Sequence, residues 1–255
     1  MKIAISGKGG VGKTTIMALL ASQMKRAGKD VLIIDADPSP HMAQTIGIKN
    51  VEDIVPIAEM TALLVERSGK TPGSPFYQIN PKVDDLIKRF MVEEDGLRLM
   101  VLGAIQVGEG GCACPENTVL KRLLTMLLLS ESQVILLDME AGVEHLGRGT
   151  IAGVDHLLVV VNPTRSSART ALKIKKLARD VKIPKISFVG NLVQNEEDEA
   201  FLARELGEPV LASFPELADI RRAEREGVPV TRFSDQCADI TARLVEKLLL
   251  KDAAT

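Results

Sequence analysis

Short apolar runs recur along the chain at residues 3–6, 31–35, 97–102, 134–138, 156–161, 186–190 and 210–214, most of them without polar alternation. A strand with one wet face alternates apolar and polar residues, whereas a strand covered on both faces reads as continuous Val, Ile and Leu. The runs therefore predict strands of a sheet buried on both sides. Between several of them the apolar period becomes helical. Over residues 14–27, Ile16, Leu19, Leu20 and Met24 fall on one face and Gly28 stops the helix. Pro115 suits the first position of a Leu-rich helix that runs to about residue 129. Such alternation predicts the α/β class: an open, doubly wound, mostly parallel sheet of about seven strands, with helices on both faces and the ligand at the carboxyl ends of the strands. No repeat or linker interrupts it, so a single domain over 1–255 is expected. Residues 39–96 are the least regular and predict a helical insertion with a Pro/Gly loop at 71–75.

Chemistry enters at the first strand-to-helix junction. Gly7, Lys8, Gly9, Gly10, Val11, Gly12, Lys13 and Thr14 fit the phosphate-loop pattern of Gly, four residues, Gly, Lys and Ser/Thr. Glycines let the backbone wrap a polyphosphate with its N–H groups turned inward, and the helix N-terminus adds favourable partial charge. Lys13 is expected on the β- and γ-phosphates, the Thr14 hydroxyl on Mg²⁺, and Thr15 in the same nucleotide-binding stretch. The second strand ends in Asp35-Ala36-Asp37-Pro38, which sets two carboxylates beside that loop. Capping of a following helix is the alternative role for Asp37. Asp138 closes the run Val134-Ile135-Leu136-Leu137 as a carboxylate for Mg²⁺, with Gly142 in a flexible switch after it. These features predict a P-loop NTPase.

Base choice rests on one absence. Guanine readers place an Asp three residues after an Asn that follows a late strand. Here Asn191 is followed at that place by Gln194. A neutral amide is a weaker match to guanine's two donors, so adenine, hence ATP and ADP, is expected.

Composition narrows the partners. A formal net charge of −2, one Tyr and no Trp give no basic footprint or stacking platform, so no nucleic acid is expected. The apolar runs are too short to span a membrane, and the first strand starts at once, so no secretory leader is expected. Three cysteines in such a chain point to a reducing cytoplasm and to free or metal-bound thiols.

The surplus lysine, Lys8, together with the loop around it, resembles the deviant Walker A family. That family includes nitrogenase iron protein, septum-positioning and plasmid-partitioning ATPases, and metal-centre maturation ATPases. The resemblance implies that Lys8 crosses a homodimer interface to the partner's nucleotide, and that Asp37 positions the attacking water. It makes Lys8, Lys13, Asp37 and Asp138 the expected catalytic set, with Thr14, Asp37 and Asp138 about Mg²⁺. It also places Asn191, Pro215 and Glu216 at the base.

Cys112 and Cys114 form a Cys-x-Cys pair ahead of Pro115. Thiols near a helix N-terminus ionise more easily, and two of them are half of a tetrahedral set. A two-fold dimer would present the pair twice, giving four sulfurs for Ni²⁺ or Zn²⁺. With Glu116-Asn117 and the stretch from Asp138 through Glu144-His145-Leu146, the chain looks like the CooC-type accessory ATPases of carbon monoxide dehydrogenase. That type implies ATP-driven dimerisation and hydrolysis coupled to nickel handling for a nickel-iron-sulfur centre. A related type serves acetyl-CoA synthase, and these motifs leave both open. A positioning or partitioning ATPase that binds membrane or DNA is the alternative, supported by the amphipathic pattern over 240–250.

Overall fold

A computed structural model of the chain describes residues 1–37, 41–70, 76–78, 80–103, 115–129, 133–139 and 153–252. Its strands are β1 (Lys2–Gly7), β2 (Val31–Ala36), β3 (Val92–Glu94), β4 (Leu97–Val101), β5 (Val134–Met139), β6 (His156–Val161), β7 (Lys185–Asn191) and β8 (Ala212–Phe214). They form one sheet in the order β3-β4-β2-β5-β1-β6-β7-β8. Every neighbouring pair is parallel except β3 with β4.

Continuous apolar strands arise because each buries both faces. Successive side chains on a strand point to opposite sides. Ala4, Leu32, Ile34, Ile135, Leu137, Leu157 and Val159 join one core layer, while Ile3, Ile5, Val31, Ile33, Leu136, Leu158 and Val160 join the other. The second layer is covered by α1 (Lys13–Arg26), α2 (Met42–Ile46) and α9 (Ala238–Asp252). The first is covered by α3 (Thr61–Ser68), α4 (Asp84–Phe90), α5 (Pro115–Leu129), α6 (Arg165–Asp180) and α7 (Glu196–Leu206). On α1, Ile16, Leu19, Leu20 and Met24 are all buried as their spacing requires. Each such side chain contributes about 1.5–3 kcal/mol of burial. Leu244, Val245 and Leu248 of α9 are likewise packed in the core, so the C-terminal amphipathic face is spent on the chain's own sheet. No helix among the described residues is long and apolar enough to cross a membrane.

The sheet has eight strands, in keeping with the expected count of about seven, and residues 39–96 carry short helices together with an edge strand. That stretch contains α2, α3, α4 and 3-10 turns at Val51–Asp53 and Ile57–Glu59, but ends in β3. Asp95 and Gly96 join β3 to β4 with φ of +47° and +66°, the two positive values that a tight two-residue hairpin demands. The Asp-Gly pair is the local signal for this hairpin. The three-residue strand before it is half-exposed and carries two glutamates, so it lacks the apolar run that marks the others.

β1 lies between β5 and β6, and the chain leaves it for β2 on one side before returning to β6 on the other. This reversal opens a crevice above the carboxyl end of β1. The loop 7–14 fills it.

Candidate nucleotide site

The loop is held from below and from the side. Val11 inserts its side chain into the core, and the Val11 N–H donates to the Lys8 carbonyl at 3.3 Å. Asn191, at the end of β7, donates from Nδ2 to the Val11 carbonyl at 2.8 Å. Gly12 takes φ +89°, and a Cβ there would run into that same carboxamide. At Gly7 a Cβ would sit 2.6 Å from the Val160 carbonyl oxygen. Glycine at these two places is therefore required by neighbours as well as by backbone angle. Lys13 opens α1 and is buried, its side chain in the cleft that Gly9, Gly10, Gly12, Thr14, Thr15 and Asp37 also line.

Beside the loop, β2 and β5 run in register so that Asp35 and Asp138 are neighbours across the pair. Both are buried. The Thr14 hydroxyl donates to Oδ2 of Asp138 at 2.8 Å. Oδ1 of Asp138 is buried and has no hydrogen-bond partner among the described residues. Burial pushes the Asp138 carboxyl up to about 7, with the Asp35 charge adding to the rise, while the Thr14 hydroxyl and Lys13 oppose it. Asp35 is pushed up to about 6, again chiefly by burial. The N–H groups of Asp37 and Met42 donate to Asp35 at 3.2 and 3.1 Å, so this carboxylate pins both ends of the segment between β2 and α2. His41, rather than Asp37, occupies the cap position of α2.

A buried carboxylate oxygen without a donor is costly unless something positive meets it. Asp138 Oδ1, the Thr14 hydroxyl and Asp37 at the cleft wall are hard oxygen donors. They suit Mg²⁺, which takes one or two carboxylates and keeps the rest of its shell for waters and phosphate oxygens. The donor set thus fits the expected ion.

A second cleft adjoins the first across α1. Asn191, Leu192, Phe214, Pro215, Glu216 and Leu217 line it together with Gly10, Gly12 and Thr15. The structure so brings Asn191 and the pair Pro215–Glu216 to one cleft. Glu216 is paired with Arg221, and Gln194 Nε2 approaches its Oε2 at 3.4 Å. Leu192 holds φ +58°, an uncommon value for a branched residue and one of the strained positions that gather at sites.

Two contacts escape sequence reasoning. The Lys8 ammonium donates to Ser166 Oγ, on the first turn of α6, at 2.9 Å. The Thr15 hydroxyl donates to Oε1 of Glu224 at 2.7 Å, on α8 (Ala218–Glu226). No local motif marks either partner, since the residues are 158 and 209 positions apart. Cys112, Cys114, Gly142 and His145 lie outside the described residues, as does Pro38. Among the described residues no cluster of His, Cys, Asp and Glu is arranged to hold a metal through three or more side chains.

Residues 2–230 match the family described as the CobQ/CobB/MinD/ParA nucleotide binding domain. An uncharacterised ATP-binding protein of Methanocaldococcus jannaschii is 41% identical, over 94% of this chain and 95% of its own length. The carbon monoxide dehydrogenase accessory protein CooC of Rhodospirillum rubrum is 38% identical, over 98% of this chain and 96% of its own. Among solved structures, the MinC:MinD cell division protein complex of Aquifex aeolicus superposes with a TM-score of 0.69 at 21% identity, over 97% of this chain and 95% of that one, which shows the shared fold. With this sheet order, this loop and these relatives, the chain belongs to the CobQ/CobB/MinD/ParA nucleotide-binding family.

Proposed function

We propose that this chain is a Mg²⁺-dependent ATPase that couples nucleotide-driven homodimerisation to nickel insertion into the nickel-iron-sulfur centre of carbon monoxide dehydrogenase. The observation that carries the ATPase reading is the Thr14–Asp138 pair at the foot of the phosphate loop, whose second carboxylate oxygen is buried and has no partner among the described residues. The client reading rests on CooC, which is similar through nearly the whole chain.

Each residue has a task in this reading. The N–H groups of Gly9–Thr14 and the Lys13 ammonium neutralise the β- and γ-phosphates. Thr14 and Asp138 hold Mg²⁺, which when bound supplies positive charge to the phosphate oxygens and stabilises the charge that shifts to the leaving group. Asp37 orients the attacking water, and Asp35 sets Asp37 by accepting its N–H. Asn191, Pro215 and Glu216 receive adenine. In the single chain Lys8 rests on the Ser166 hydroxyl, an exposed contact that is cheap to break. When two copies close over ATP, Lys8 transfers to the partner's phosphates. Cys112 and Cys114 of both copies then hold the nickel cargo as thiolates, and closure changes the distance between the two pairs.

The test is nickel binding and delivery. Wild type should bind one Ni²⁺ per dimer, with affinity that differs between ADP and a non-hydrolysable ATP analogue, and should activate nickel-free carbon monoxide dehydrogenase in an ATP-dependent manner. The double variant Cys112→Ser/Cys114→Ser should lose both while still hydrolysing ATP. Nickel binding that survives the double substitution rules the reading out.

A further inference from the structure

β8 ends the sheet: it pairs with β7 on one side, and no strand among the described residues lies on the other. A groove of about 550 Å³ runs along that edge between α7 and α9, and it shares no lining residue with the two nucleotide clefts. Its floor is Val210, Leu211, Ala212 and Ser213, all half-exposed. An edge strand offers unpaired backbone N–H and C=O groups to another chain, and proteins blunt such edges with proline, lysine or a covering element. Here Pro209 precedes the strand, and the Lys247 ammonium donates to the Leu211 carbonyl at 2.7 Å. That contact is exposed, so an incoming strand can displace it.

The two walls carry opposite charge. Leu202 and Leu206 of α7 pack into one core layer and Leu244 and Leu248 of α9 into the other, so the helices stand on opposite faces of the sheet. Glu196 and Glu199 line the groove from α7, Arg243 and Lys247 line it from α9, and all four are exposed. No ion pair among the described residues engages Glu196, Glu199 or Arg243. A strand laid on β8 points successive side chains to opposite faces. Alternate residues of the occupant therefore meet the acidic wall, and those between them meet the basic wall. A second copy of this chain does not match. Two β8 edges joined antiparallel about a two-fold axis would set acidic wall against acidic wall and basic against basic. The stretch from Val210 to Ser213 also has no charge to offer either wall.

We propose that the β8 edge is a docking site for an extended segment of a partner protein, which joins the sheet as a further strand with basic side chains towards α7 and acidic ones towards α9. Backbone hydrogen bonds supply the affinity, and the charged walls select the sequence and fix which face of the segment is up. Ala200, Ala203 and Ile240 leave room for apolar residues between the charges. The groove needs neither nucleotide nor hydrolysis, so it stands or falls apart from the function above.

Two end-capped peptides of equal composition, titrated calorimetrically into the nucleotide-free chain, test the site. Lys-Glu-Val-Val-Lys-Glu carries its lysines on one face of a strand and its glutamates on the other, whereas Lys-Glu-Val-Val-Glu-Lys mixes them. Wild type should bind the first about tenfold more tightly, since favourable charge pairs replace unfavourable ones. Amide exchange at residues 210–213 should slow when it binds. Arg243→Glu should lose the preference, should bind Lys-Lys-Val-Val-Lys-Lys more tightly than wild type does, and should hydrolyse ATP as wild type does. If that variant is unfolded by circular dichroism, the wild-type comparison alone decides. Wild type that binds neither peptide, or both equally, overturns the proposal, as does binding that leaves exchange at 210–213 unchanged. Sedimentation of the nucleotide-free chain tests the other occupant: self-association that Arg243→Glu abolishes would give the groove to a second copy and overturn the proposal too.

Discussion

Thr14 and Asp138, 124 residues apart in the chain, meet at 2.8 Å at the foot of the phosphate loop, and the second oxygen of that carboxylate is buried with no donor among the described residues. Such an oxygen suits a cation. Asp138→Asn removes the charge and keeps the shape, so it should lower ATP hydrolysis by about two orders of magnitude, the scale of one lost electrostatic contact in the transition state. Nucleotide binding measured in EDTA should change little. Steady-state hydrolysis against Mg²⁺ concentration checks this, and an unaltered Mg²⁺ requirement would refute it.

Protonation should compete with the metal. Asp35 and Asp138 titrate near 6 and 7 in the folded chain against an ordinary value of 3.8. Groups raised in this way favour the folded state while protonated. Their contribution is complete below about pH 3.8 and is lost as pH rises through 6 and 7, on the order of a few kcal/mol. Nucleotide-free protein should thus melt at lower temperature at pH 8 than at pH 5.5. Mg²⁺ with ADP should raise Tm more at pH 8, where the carboxylates are ionised. Thermal scans at the two pH values, with and without Mg²⁺ and ADP, measure both effects. A Tm gain from Mg²⁺ that is larger at pH 5.5 would contradict the scheme.

Asn191 braces the loop through the Val11 carbonyl. Asn191→Ala should weaken ADP binding about tenfold by releasing that carbonyl. Asn191→Asp should be worse, because it sets a carboxylate oxygen against a carbonyl oxygen. Calorimetric titration with ADP ranks the two, and the reverse order would mean that the brace is unimportant.

Lys8 is bonded to Ser166 within its own chain. If its task lies in the dimer, Lys8→Ala should bind ADP within about threefold of wild type, a difference under 1 kcal/mol. The same variant should fail to dimerise with a non-hydrolysable ATP analogue and should lose hydrolysis. Ser166→Ala should keep both properties. Light scattering with the analogue distinguishes the variants, and a fully dimerising Lys8→Ala would remove the trans role.

Much of this protein is legible in one dimension because its constraints are local. A phosphate loop needs its glycines, Lys13 and Thr14 in consecutive places. A strand buried on both faces shows as an unbroken apolar run, as at 31–35 and 134–138. The Asp-Gly hairpin at residues 95–96 is also local, but its first strand, Val92–Glu94, is a half-exposed edge whose two glutamates hide it from a reading by hydrophobicity.

Residue order alone thus determined the α/β class, the nucleotide loop, the paired acids and the adenine preference, because each depends on neighbours in the chain. Only tertiary structure decided which acids share a site, that Asn191 braces the Val11 carbonyl, that Lys8 rests on Ser166, and that Glu224 accepts the Thr15 hydroxyl. Those relations depend on sheet order and helix placement, which the cooperative packing of two core layers sets, and no short stretch of sequence encodes a contact between residues 209 positions apart.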